Sequence, residues 1–108
     1  MSEELEVSVS SGNVFEDLGL ADSGELMAKA KLAAQVSSIL QHRHLTQAAA
    51  AEILGITQPR VSDLARGRLE KFSLASLLQF LLLLDRDVEI VVRKKPRSRK
   101  RAHLSVAA

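Results

Sequence analysis

Apolar residues recur every three or four positions at Leu26, Ala30, Ala33, Val36 and Leu40, with Ile39 beside them, a period that gathers them on one face of a helix. Asp22 followed three residues later by Glu25 has the form of a capping box, so this helix is expected to start there and to end near His42 to His44. Thr46, Thr57 and Ser73 each precede a further apolar-periodic stretch, where a side-chain oxygen can accept from the first turn of a helix. They predict three short helices, Gln47 to Leu54, Gln58 to Arg66 and Leu74 to Leu84. Pro59 fits the first turn of the second of these, and Gly55 and Gly67 suit left-handed C-terminal caps.

After Asp85 the period changes. Asp87 to Val92 alternates partly and is rich in β-branched residues, which reads as one strand. A lone strand has no ladder partner, so two copies are expected to pair their strands across a two-fold axis. The Leu74 to Leu84 helix is apolar nearly all round and must be covered on more than one side, by the core and by the partner chain together. Leu81, Leu84, Val88, Ile90 and Val92 are the expected dimerisation residues. Residues 1–12 are polar and without period, an expected flexible acidic arm; Val14, Phe15, Leu18 and Leu20 form a cluster able to dock as one helical turn. The organisation is thus an arm over 1–12, a helical domain with its dimerisation strand over 13–92, and a basic, disordered tail over 93–108.

Composition agrees with helices and bounds the rest. The 108 residues suffice for one domain, and the apolar content is Ala, Leu, Val and Ile with three Phe and no Trp or Tyr. No Cys is present to make a disulfide or a thiolate metal site. The acidic start lacks the pattern of a secretory signal, and the longest apolar run, Phe80 to Leu84, is far short of the ~20 residues that cross a bilayer. A soluble, cytoplasmic protein with no membrane partner is expected. The net charge of +2 hides a strong asymmetry: the first 25 residues hold no Lys or Arg, whereas Arg93 to Arg101 holds seven basic residues and no acid.

Counting from Gln47 as first, Ala51 is fifth, Gly55 ninth and Val61 fifteenth, with Ala50, Leu54, Ile56 and Leu64 apolar at the fourth, eighth, tenth and eighteenth positions. This is the full helix-turn-helix pattern. Ala51 lets two helices approach, Gly55 permits a turn conformation costly for other residues, and Val61 and Leu64 lock the second helix on the first. An ordinary helical hairpin would show apolar spacing but would not need all three of those residues together.

The segment LTQAAAAEILGITQPRVSDLARG resembles the lambda-repressor-like (XRE) helix-turn-helix domain, over about Ala28 to Leu84. SSGNVFEDLGL before it and FSLASLLQFLLLLDRDVEIVVR after it resemble a subgroup that includes HigA-type antitoxins. The resemblance implies a mainly α, four- to five-helix domain with one C-terminal strand pairing across a dimer. It also implies a repressor of its own toxin–antitoxin operon that binds a RelE-like ribonuclease toxin. A free-standing, phage-like XRE regulator without a toxin is the alternative on the same scaffold.

In such a domain the helix from Gln58 lies in the major groove, with its first residues nearest the base edges. Gln58 leads the base-reading candidates, since its amide can pair bidentately with adenine. Pro59 can touch a thymine methyl; Arg60 can read guanine or bind phosphate. Ser62 and Asp63 project from the next turn, Asp63 either accepting from cytosine or excluding a wrong phosphate register. Thr46, Gln47 and Thr57 at the helix starts, with Arg43, Arg66, Arg68 and Lys71 flanking, are the phosphate candidates. His42, His44 and His103 lack the companions of a metal set and read as surface residues, and neither a nucleophile elbow nor a Gly-rich phosphate loop is present. No enzyme, metal or cofactor is expected. The basic tail reads equally as a solubilising end or as an arm on phosphates or the minor groove, and the acidic start equally as plain disorder or as a surface for a basic toxin.

Overall fold

The computed structural model describes residues 24–107, which form four helices: α1 (Leu26–His42), α2 (Gln47–Leu54), α3 (Gln58–Ala65) and α4 (Leu74–Leu83). The arm over 1–12, the cluster from Val14 to Leu20 and the expected cap Asp22 lie outside the described residues. Three of the expected caps form. Thr46 Oγ1 accepts from the Ala49 N–H at 3.1 Å, and Thr57 Oγ1 from the Arg60 N–H at 3.4 Å. Ser73 and Ser76 close a reciprocal box in which each hydroxyl accepts from the other's backbone N–H at 3.0 Å. Serine does there what Glu does in the commoner form of the motif.

α1 packs chiefly on α4, and α2 on α3. The main core joins Leu32, Ala33, Val36 and Ile39 of α1 to Leu54, Leu64, Phe72, Leu77, Phe80, Leu81 and Leu84. A smaller cluster of Ala50, Ala51 and Val61 holds α2 against α3, the close approach that a small residue at position 51 allows. Gly55, between them, has φ +73°, and a Cβ added there would meet nothing within 4 Å. Its requirement is therefore one of backbone conformation and not of space. Gly55→Ala is expected to lower stability by about 1–2 kcal/mol, and Gly55→Asn by clearly less, because Asn tolerates the left-handed region. Denaturant unfolding of the two variants checks this; equal losses would mean that something other than φ sets the residue.

The ends of α1 and α4 are tied together. Arg43 Nη2 donates to the Leu84 carbonyl at 2.7 Å and lies 3.8 Å from the Asp85 carboxylate, while His44 and Asp85 both take positive φ, 55° and 65°. The bond to Leu84 satisfies one of the carbonyls that a helix leaves open at its C-terminus.

Beyond Asp85 the chain departs from expectation twice. The strand expected over Asp87 to Val92 is not formed: these residues carry no regular secondary structure, and a single chain offers their backbone no ladder partner. The tail expected to be disordered runs back along α1. Lys31 Nζ donates to the Val106 carbonyl at 3.2 Å, Gly24 lies against Leu104, and Val88 and Val106 both pack on the main core.

Candidate nucleic-acid interface

α2, the Gly55 turn and α3 build one surface. The first turn of α2 and the inner side of α3 meet α1 at a shallow cleft, lined by Ser37 and Gln41 of α1, Thr46, Gln47 and Ala50, and Val61 and Ala65. In α2 the Thr46 cap takes the Ala49 N–H, and the N–H groups of Gln47 and Ala48 have no partner within the helix. They point out of the positive end of the helix dipole, where an anion is favoured. In α3 the Arg60 N–H is capped by Thr57 in the same way, and the end has one donor fewer because Pro59 has no N–H. Both cap hydroxyls act as acceptors, which leaves each O–H free to donate outward. The start of α2 therefore has one more open backbone donor than the start of α3.

The α3 sequence QPRVSDLA divides by side. Val61 and Leu64 are buried, and at about 100° per residue Pro59, Ser62, Asp63 and Arg66 fall on the opposite side. Gln58 and Pro59 are exposed, and Ser62 and Asp63 are half-buried at the edge of this face. The Asp63 carboxylate lies 4.0 Å from Arg68, an exposed pair of small energetic weight. Arg66, Arg68 and Lys71 are all on the surface, in and beside the loop that follows. On α3 and just beyond it the structure thus places Pro59, Ser62, Asp63 and Arg66 on one side, with Arg68 beside Asp63.

Two of the expected cations are turned elsewhere. Arg43 donates to the Leu84 carbonyl at the end of α4. Arg60 lies on the flank of α3: its guanidinium carbon sits 4.5 Å from the Phe72 ring centroid, and Nη2 donates to the Lys71 carbonyl at 3.2 Å. Its Nε is buried without a partner, and the Phe72 ring in turn meets Phe80 edge-on, 6.0 Å between centroids and 78° between planes. Arg60 is thus the outer member of a stack that ties α3 to the loop before α4. Sequence reasoning missed Phe72, whose only local signal is an aromatic residue directly before the Ser73 cap.

The expected dimerisation set is also redistributed. Leu81 and Leu84 are 5% and 0% exposed, covered by their own chain, because the helical period places them with Leu77 and Phe80 on the inner side. Leu82 and Leu83 face out instead, at 52% and 41%, and Ile90 and Val92 are exposed at 73% and 82%. Val88 packs on the core. Among the described residues no helix is long and apolar enough to cross a membrane, and no group of three or more His, Asp or Glu gathers as a metal site would.

Two helices joined through a left-handed glycine, the second with a polar outer side, define a helix-turn-helix DNA-binding protein. Residues 14–93 match the helix-turn-helix domain family. A solved structure named "Putative XRE Family Transcriptional Regulator" is similar to this chain at 49% identity with a TM-score of 0.73, covering 81% of this chain and 98% of its own. The chain belongs to the XRE family of helix-turn-helix transcriptional regulators. No curated protein matches it.

Proposed function

We propose that the chain is a sequence-specific repressor that works as a homodimer, with α3 in the major groove of each half of a two-fold operator. The observation that carries this reading is the exposed, polar start of α3 beside the donor-rich start of α2. Gln58 can pair with adenine, Pro59 can touch a thymine methyl, and Ser62 and Asp63 border the next base steps. Thr46, Gln47 and Thr57, with Arg66, Arg68 and Lys71, hold the register on phosphates. Duplexes selected from a random pool by the purified chain are expected to share a two-fold site with half-sites about one helical turn, ~34 Å, apart. Enrichment of an asymmetric site, or of none, would refute the reading.

The dimer is supported by exposed apolar residues, Leu82 and Leu83 at the end of α4 and Ile90, Val91 and Val92 in the segment beyond it that carries no regular secondary structure. Such a backbone is a template for pairing with a second copy. Ile90→Lys is expected to shift the protein from dimer to monomer in sedimentation and to weaken operator binding with it. A native chain that sediments as a monomer on and off DNA would overturn this part. The proposed biological setting is an autoregulated toxin–antitoxin operon, supported by the resemblance of both flanking segments to HigA-type antitoxins. Co-purification of a small basic RelE-like ribonuclease encoded beside this chain tests it. A neighbourhood without such a partner would leave the free-standing XRE regulator as the function.

A further inference from the structure

The run Arg93 to Arg101 is part of neither the helix-turn-helix nor the apolar segment proposed for dimerisation. It concentrates seven cations and no carboxylate into nine residues, a density that strong self-repulsion opposes unless an anion neutralises it. Yet this run is not a loose end. Val88 before it and Val106 after it both pack on the core, the Val106 carbonyl accepts from Lys31 Nζ at 3.2 Å, and Leu104 lies against Gly24. Between these two feet the run has shape of its own: Arg99 N–H donates to the Pro96 carbonyl at 3.2 Å, and Lys95 Nζ crosses the turn to the Arg99 carbonyl at 2.7 Å. Arg93, Lys94, Lys95, Arg97, Lys100 and Arg101 are exposed. The side-chain hydrogen bonds of the run, among the described residues, go to the arch's own backbone, apart from Arg99 Nη1 beside His103 Nδ1 at 2.9 Å.

We propose that Arg93 to Arg101 is a second DNA-contacting element, a cationic arch anchored at both ends that binds backbone phosphates outside the base-reading surface. The inference rests on the DNA-binding reading above and adds to it a contact that carries charge but no sequence information. Anchoring matters because cations already held in place lose less freedom on meeting a phosphate than those of a free tail. DNA is the expected occupant because the arch is fixed to the same body that carries α2 and α3.

The test is a full-length variant in which Lys94, Lys95, Arg97, Arg99, Lys100 and Arg101 are all changed to Gln, with Val88, Leu104 and Val106 intact. Its affinity is measured over a salt series, on a selected operator duplex and on a random-sequence duplex of equal length. Every phosphate that the variant no longer neutralises should reduce the slope of log affinity against log salt by about 0.9, so a fall of roughly 3–5 is expected if most of the six engage. Both affinities should drop by the same factor, leaving discrimination between the duplexes unchanged. An unchanged slope alongside intact selective binding would remove the arch alone, and a loss confined to the operator duplex would also overturn it. Failure of the native chain to prefer any duplex would instead sink the DNA-binding reading itself.

Discussion

Phe72→Ala is expected to lower the stability of the domain by about 3–5 kcal/mol, the range for truncating a buried Phe. The ring is 1% exposed, belongs to the main core, meets Phe80 edge-on and carries the Arg60 guanidinium on its outer side. Its removal would open a cavity between α3, α4 and the intervening loop, and would take away the surface that fixes Arg60. In a domain of this size each kcal/mol moves the melting temperature by roughly 4–8 °C, so the variant should be largely unfolded under conditions where the native chain is not. A loss below about 1 kcal/mol, the cost of a typical substitution, would show that the ring is not a packed centre of the core.

The same stack has a second consequence that can be separated from folding. Arg60→Met keeps the apolar stem and removes the charge, so the stacking energy of about 0.5–2 kcal/mol should disappear. Combined with Phe72→Leu in a double-mutant cycle, the two effects should be less than additive. If Arg60 positions α3, Arg60→Met should weaken operator and random duplexes alike. A loss at one base position of the operator would return Arg60 to the guanine-reading role that its place in the sequence also allows.

Gln58→Ala should act in the opposite sense. Gln58 is exposed at the first position of α3 and is not buried against the core, so its removal should leave stability nearly unchanged. Operator affinity should fall by about 1–3 kcal/mol, roughly fivefold to 150-fold, with random-duplex affinity preserved. Competition binding with the two duplexes measures both quantities. Equal losses on both would show that the residue supports binding without reading a base.

Much of this architecture was legible in the chain itself. Thr46, Thr57 and Ser73 cap the helices that follow them, and the three short helices end at or within one residue of the expected boundaries. Each signal is local: a hydroxyl before a first turn, a glycine after a last one, an apolar period between. Ala51, Gly55 and Val61 likewise act through neighbours a few residues away. The pairs that were not legible join residues far apart in the chain. Arg43 and Leu84 are 41 residues apart, and Lys31 and Val106 are 75 apart. No periodicity links such positions.

The strand is a different case. Val88 to Val92 has a strand's composition, but a ladder is a property of two segments, and one chain supplies only one of them. The cations show the same limit. Charge and spacing made Arg43 and Arg60 equal candidates with Arg66 and Arg68, because a sequence records the type of a side chain and not the direction in which it is held.

The sequence by itself thus determined the helices, the caps of α2, α3 and α4 and the helix-turn-helix, since capping and helical period act within one or two turns, whereas Glu25 at the start of α1 makes no capping hydrogen bond. Only the tertiary structure decided where the long side chains are held. It took Arg43 and Arg60 into contacts with Leu84 and Phe72, turned Leu82 and Leu83 outward in place of Leu81 and Leu84, and fixed the basic run on α1 through Val106. The physical reason is common to all three: packing assigns each long side chain one direction and one partner, and that choice depends on which distant residue arrives beside it.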